Sequence, residues 1–458
     1  MKLSKLFYAL PAAMLVFTAC SSEEEGLQGG ATGNDDARQI ITVAVSNQNQ
    51  TTRAGRVLDS SAPGQNIDKV KLILVETTEG ENKNKIQWTE TIEDWQNKSE
   101  NYGPSYSASN ATLTTGSGKQ TDFEIPKETK DGKAGYRMVQ GHTYVVYAVG
   151  YTSEGSQYTY TNIDAMTTGQ TFDAAKFAVT LTEAAKDKRG EEIFAGSAEV
   201  GENFKTTVIL NRQVAGTYVY LKDIPYILDA TKSTKPGSKL QVVVAQANDA
   251  LHFGQFVTDK NHGHNLSAGV GTVINGYAQS TAAEDAVLYE INLKDWFTNI
   301  VEDEKGLIKV GEEGNYNWKT EGHNNYAVGS VFAGDFLIPV AAVEGKNTLK
   351  LVMLDEDDQP LREWKIQLPT NAYQKETAHN LLTYSTNGSY DTTNNHQDDI
   401  NTYNILRNYL YGVGTRLTSE PSNPGTEEGD KPEPLNNKQE LKVQVNSNWE
   451  VIYNMGLD

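Results

Sequence analysis

Apolar residues recur at every second position, or in short unbroken runs, along most of this chain. The clearest examples are "DKVKLILVE" (68–76), "HTYVVYAVGYT" (142–152), "KTTVILNR" (205–212), "GTYVYLKDI" (216–224), "KLQVVVAQA" (239–247), "AVLYEINL" (286–293), "NTLKLVML" (347–354) and "LREWKIQL" (361–368). Gly, Asn, Asp and Pro punctuate them, and long runs of helical period are missing. Such segments are β-strands. The 23 tyrosines suit pleated, half-buried surfaces. The pattern predicts an all-β chain of antiparallel β-sandwiches. A length of 458 residues favours two domains in tandem, with a boundary near Gln213–Gly216, between two strong strands.

Two short segments near the chain ends share one pattern. "Ile41-Thr42-Val43-Ala44-Val45" and "Leu441-Lys442-Val443-Gln444-Val445" each set three aliphatic residues at period two. Trp449, Val451 and Tyr453 resume the period after the second. A stretch poor in apolar residues, "TSEPSNPGTEEGDKPEPLNN" (418–437), reads as a flexible tether ahead of it. A sandwich short of one strand exposes an unpaired edge and an apolar groove, which invites association unless covered. The N-terminal segment can cover such a groove within its own chain. The tethered C-terminal segment can cover one in another copy, by strand addition.

The first residues, "MKLSKLFYALPAAMLVFTAC", place Lys2 and Lys5 before an apolar run too short to span a bilayer and end on small residues and Cys20. This is the pattern of a secretory signal peptide. Cys20 is the only cysteine, so an intramolecular disulfide is impossible. "Phe17-Thr18-Ala19-Cys20" resembles a bacterial lipobox, whose cysteine thiol is acylated, with Phe17 in place of the usual Leu. The acidic run Ser21–Glu25 that follows resembles a surface-export signal of Bacteroidetes lipoproteins. Past the first aliphatic segment, "Thr51-Thr52-Arg53-Ala54-Gly55-Arg56" is polar and rich in small residues, a setting that proteases favour. A cut after Arg53 or Arg56 would release the anchor together with the aliphatic segment. A cut after Arg38 would remove the lipid and leave the segment in place.

The formal net charge of −20 argues against nucleic acid as a partner, since phosphates call for a basic stripe. No catalytic constellation, cofactor motif or zinc-protease His pair is visible. "Asn261-His262-Gly263-His264" brings two imidazoles close, but without a carboxylate or thiolate at ligand spacing it reads as a loop. "Asp355-Glu356-Asp357-Asp358-Gln359-Pro360" lacks the order of a calcium loop and reads as a hairpin turn. Trp364 alternates with Ile366 and Leu368 and is expected in a core, while Trp296 and Trp318 are lone aromatics that could stack on sugar. The expectation is a protein that is not an enzyme and holds no metal or cofactor.

Several segments in order resemble the fimbrillins, the major pilin subunits of Bacteroidales type V pili. "Asn66-Ile67-Asp68-Lys69-Val70-Lys71-Leu72-Ile73-Leu74-Val75" is similar to the family's first strand after processing. "Thr207-Val208-Ile209-Leu210-Asn211-Arg212-Gln213-Val214-Ala215" is similar to its inter-domain stretch, and "Ile405-Leu406-Arg407-Asn408-Tyr409-Leu410-Tyr411-Gly412-Val413" to its near-terminal strand. Val443, Val445, Trp449, Val451 and Tyr453 resemble its donor segment. The resemblance implies two transthyretin-like (Ig-like) antiparallel β-sandwiches and a C-terminal donor strand. It further implies export as an outer-membrane lipoprotein acylated at Cys20, and cleavage by an Arg-specific, trypsin-like protease at Arg53–Ala54, with Arg56 as the competing position. On this reading residues 1–20 are the signal peptide and 21–53 the removed tether and strand, with Ile41, Val43 and Val45 displaced. Residues 54–214 and 215–417 form the two sandwiches, 418–440 the linker, and 441–458 the donor segment, anchored by Leu441, Val443, Val445, Trp449, Val451 and Tyr453. The partners implied are other copies or related pilins in a head-to-tail polymer at the cell surface, serving adhesion and biofilm. Two alternatives stand beside it: a lipid-anchored, monomeric glycan-binding protein, and a tip or anchor subunit of the same pilus.

Overall fold

The computed structural model describes residues 38–46, 67–102, 118–130, 132–152, 156–183, 191–227, 235–253, 285–311, 317–340, 343, 345–368, 383–384, 390–391, 400–403, 405, 410–416, 424–425, 430–435 and 440–446. They are almost all strand and turn. The first half contributes β1 (Ile40–Ser46), β2 (Lys69–Glu76), β3 (Ile86–Ile92), β4 (Glu100–Tyr102), β5 (Gly118–Glu124), β6 (Tyr144–Tyr151), β7 (Tyr158–Thr159), β8 (Ala178–Leu181), β9 (Phe194–Glu199) and β10 (Lys205–Arg212). The second contributes β11 (Ala215–Lys222), β12 (Lys239–Val244), β13 (Ala250–His252), β14 (Ala286–Asn292), β15 (Val331–Leu337), β16 (Leu349–Leu354) and β17 (Pro360–Gln367). It continues with β18 (Thr383–Tyr384), β19 (Tyr390–Asp391), β20 (Leu410–Val413), β21 (Glu433–Pro434) and β22 (Glu440–Asn446).

Two large sheets account for most of the strands. One runs β3-β2-β6-β9-β10-β1-β5-β4 and the other β14-β12-β16-β17-β22-β20-β11-β15, with β21 added against β11. β10 ends at Arg212 and β11 begins at Ala215, so the sheets meet at Gln213 and Val214, both buried. A three-stranded sheet, β13-β8-β7, takes strands from both halves. Most pairings are antiparallel, as the all-β expectation requires.

β2 shows why these sequences form these layers. Every residue from Val70 to Glu76 is buried, so both its faces are covered and the run is apolar almost without a break. Ile73 and Val75 on one face join a core shared with Val149, Phe177, Val179 and Phe253. Rings carry that core between the halves: Tyr147 stacks on Phe172 at 4.2 Å, and Phe177 meets Phe253 edge-on at 5.4 Å. Lys71, like Glu76 at the strand's end, is a buried charged exception on this strand. Its ammonium donates to the Ile163 carbonyl at 2.9 Å, and burial lowers its pKa.

The acidic stretch after β16 is a hairpin turn. β16 and β17 pair antiparallel, and Asp355 Oδ1 accepts from the backbone N–H of Asp357 and of Gln359, both at 2.9 Å. Asp358 adopts φ 60°, the left-handed conformation such turns need. Lys235 and Lys239 pair with Asp357 and Asp358. Trp364 is fully buried, as its alternation predicts.

Gly412 in β20 is required by a close approach, since a Cβ there would lie 2.1 Å from the Tyr218 ring. That ring is buried, with its hydroxyl donating to the Gly414 carbonyl at 3.1 Å. Gly412→Ala is therefore expected to cost about 1–3 kcal/mol through overpacking. Urea unfolding of the purified chain checks this, and an unchanged midpoint would refute it.

Two strand slots filled from the chain ends

Each large sheet has an interior position occupied by a terminal segment. In the first, β1 lies between β10 and β5, parallel to one and antiparallel to the other. Ile41 stands opposite Thr206 and Phe123, Val43 opposite Val208 and Thr121, and Val45 opposite Leu210 and Lys119. In the second, β22 lies between β17 and β20, again parallel to one and antiparallel to the other. Leu441 stands opposite Ile366, Val443 opposite Val413, and Val445 opposite Tyr411. The two aliphatic segments thus fill slots of the same topology.

β1 buries aliphatic side chains along its length. Ile41, Val43, Ala44 and Val45 are buried, while Thr42 points outward and donates to Asp122 Oδ1 at 2.6 Å. The entrance of its slot is polar. Gln39, 2% exposed, precedes the strand on the same face as Ile41. Its amide nitrogen donates to the carbonyls of Tyr136 at 2.8 Å and Ile125 at 3.3 Å, and its amide oxygen accepts from the Met138 N–H at 2.6 Å. Those backbone groups would be left unpaired if Gln39 departed, at about 1–3 kcal/mol each where they stay dry. Arg38 pairs with Glu124 at 2.6 Å across the mouth, which holds the Glu124 carboxyl below its ordinary pKa and the guanidinium above its own. Both side chains are largely in water, so the pair adds little stability.

The β22 slot has a second fastening, upstream of the strand. The stretch expected as a free tether is docked where it is described, over residues 430–435. Arg416 carries this docking. Its Nη1 donates to the Asn325 carbonyl at 2.6 Å and to Asp430 Oδ1 at 3.1 Å, and its guanidinium lies 4.3 Å from the Tyr326 ring centre. Asp430 is fully buried, and its other oxygen accepts from the Gly425 N–H at 2.7 Å. Thr415 and Lys431 exchange backbone hydrogen bonds, β21 pairs with β11, and the Leu435 N–H reaches the Lys222 carbonyl at 2.8 Å. Composition alone hides this, because one buried carboxylate and one buried Leu435 hold an otherwise polar stretch.

Of the residues singled out in the sequence, Ile41, Val43, Val45 and Leu441 are buried in these slots. Val443 and Val445 are placed by backbone register. Cys20, Arg53, Ala54, Arg56, Trp449, Val451, Tyr453, His262 and His264 lie outside the described residues. Arg53 and Arg56 fall in the chain between β1 and β2, downstream of the strand. Trp296 and Trp318 turn inward: Trp296 stacks on His323 at 3.8 Å, and the Trp318 indole N–H donates to the Ser330 carbonyl at 2.8 Å. They are 8% and 2% exposed and present no open platform for a sugar. Among the described residues, no three His, Cys, Asp or Glu are grouped to hold a metal ion.

No family model matches the chain, and no curated protein matches it. Solved structures similar to it include a candidate polysaccharide-binding protein from Bacteroides thetaiotaomicron VPI-5482, at 12% identity over 84% of this chain and 93% of that one, with a TM-score of 0.33. The tip fimbrial protein Mfa3 from Porphyromonas gingivalis is 9% identical over 89% and 99%, with a TM-score of 0.36. A fimbrial assembly protein from Parabacteroides distasonis ATCC 8503 is 12% identical over 70% and 98%, with a TM-score of 0.29. Identities and scores this low leave each statement about this chain resting on its own residues.

Removing the Asp430 carboxylate should strand the Arg416 charge in its aromatic seat. Asp430→Ala is expected to destabilise the chain by about 3–5 kcal/mol, as breaking a buried pair does. Hydrogen exchange should show the β21 and β22 amides losing protection first; protection unchanged there would refute the docking role.

Proposed function

We propose that this chain is a structural pilin subunit of a cell-surface fimbrium, which polymerises when the terminal segments exchange slots. The observation that carries this reading is the likeness of the two slots, each an interior position with one parallel and one antiparallel neighbour, each taken by a segment with three aliphatic residues at period two. The precursor is exported as an outer-membrane lipoprotein acylated at Cys20. An Arg-specific protease then cuts at Arg53–Ala54 or after Arg56, which frees β1 from the body of the subunit. The emptied slot accepts β22 of another copy or of a related pilin, and repetition head to tail builds an open filament.

The energetics favour replacement over vacancy. Burying each of Ile41, Val43 and Val45 contributes roughly 1.5–3 kcal/mol, and the strand satisfies the backbone of both β10 and β5. An incoming aliphatic strand restores most of that gain. The cut gives the step its direction, because a severed β1 that leaves no longer returns at the high effective concentration of a tethered strand. The donor segment continues through Trp449, Val451 and Tyr453, three apolar residues for which the β1 segment has no counterpart. These offset the cost of leaving the β22 slot.

Against the lipid-anchored glycan binder stand the inward-turned tryptophans. A tip subunit has no use for a donor strand, and an anchor would keep its lipid rather than carry arginines after β1.

Trypsin treatment of the purified precursor should yield a ladder of polymers on mild gel electrophoresis. A chain ending at Leu435 should form none alone, yet bind one cut full-length copy through its own open β1 slot. Stable monomers after a cut between Ser46 and Ile67, with the C-terminus intact, would sink the proposal. Circular dichroism of the uncut shortened chain separates loss of assembly from loss of fold.

A further inference from the structure

We infer that Gln439 fixes the register of the incoming strand by taking the place of Gln39 in the acceptor slot. The inference rests on the exchange proposed above and deepens it. Laid beside each other, "Arg38-Gln39-Ile40-Ile41-Thr42-Val43-Ala44-Val45" and "Lys438-Gln439-Glu440-Leu441-Lys442-Val443-Gln444-Val445" agree beyond their aliphatic positions. A basic residue and a glutamine precede the strand in both, at the same distance from the first inward aliphatic.

The physical need for this residue follows from the period of a strand. A slip of two residues returns every side chain to its original face. Leu441, Val443 and Val445 would then still point inward, so aliphatic residues alone leave the register open. The slot itself is not degenerate. At its entrance the Ile125 and Tyr136 carbonyls and the Met138 N–H are met by one primary amide, donating and accepting at once. Only a glutamine or asparagine side chain offers two N–H donors and an acceptor oxygen in one neutral group. In register, Gln439 meets these groups and Lys438 faces Glu124 as Arg38 does. Slipped by two toward the entrance, Leu441 would sit against them and leave three polar groups dry; slipped the other way, no side chain of the slot-filling run would reach them.

A cross-link reads the register directly. Thr42 lies opposite Asp122 in the pairing of β1 with β5, so an in-register donor sets residue 442 opposite residue 122. Gln120 lies opposite Ala44, two residues along. In a Cys20→Ala background, chains carrying Lys442→Cys with Asp122→Cys, or with Gln120→Cys as the slipped pair, are cut with trypsin and oxidised. Interchain disulfide at 442–122 is expected to dominate. Adding Gln439→Leu should lower that product at least about tenfold, on the scale of one lost buried hydrogen bond, and raise the 442–120 product. Gln39→Leu, which loosens β1 and leaves the donor intact, should keep the 442–122 register and speed assembly after the cut. It keeps the test open if Gln439→Leu disturbs folding.

Polymers that form in the same register at the same rate with Gln439→Leu would overturn the inference while leaving strand exchange standing. So would a Gln39→Leu chain that assembles no faster than the parent. A failure of the parent chain to polymerise at all would instead remove the exchange, and this inference with it.

Discussion

β1 is bonded along both edges, to β10 on one side and β5 on the other, and without it those strands would face each other across a gap one strand wide. Interior strands with unpaired neighbours are costly because buried backbone groups need partners. The whole first sheet therefore depends on a segment that is joined to it by a single stretch of chain carrying arginines. The second sheet is joined through β22, which pairs with β17 over residues 440–442 and with β20 over residues 443–446. A protein built this way is complete only while both segments are seated.

The two seats are fastened differently. β1 is held by apolar burial and by one amide at its entrance, with an ion pair in water that adds little. β22 is preceded by a docked stretch in which Asp430 is wholly buried against Arg416, and Arg416 is itself framed by Tyr220, Tyr326 and Phe332. Under the proposed exchange, the first fastening would be reversible after a cut, and the second would keep the base of β22 attached to its own subunit.

The alternating strands were legible because burial on one face writes a period of two, or an apolar run where both faces are covered, as in β2. β5, β9 and β15 were harder to see. β5 reads "GKQTDFE", with its polar side chains turned largely to water, and β9 reads "FAGSAE", whose Gly196 backs directly onto the Ile209 carbonyl. Small residues forced by close packing leave no hydrophobic signal. The slot residues Ile41, Val43, Val45 and Leu441 were readable from periodicity, but their seating beside one parallel and one antiparallel neighbour is a matter of long-range pairing that no local pattern encodes. Gln39 was unreadable for a related reason. Its partners, Ile125, Tyr136 and Met138, lie far along the chain and offer backbone groups, which any sequence would supply.

The direction of the slot strands has a mechanical consequence. β1 runs alongside two neighbours for most of its length, so tension applied along such a strand loads its hydrogen bonds in shear, all together, rather than opening them one after another from an end. Resistance to forced opening is set by the rate of unbinding and not by equilibrium stability. A joint with modest thermodynamic advantage over its competitor can in this way bear a sustained pull. The docked stretch ahead of β22 would pass that pull into β11 and Arg416, placing the load on an interior strand of the second sheet instead of on a loose thread.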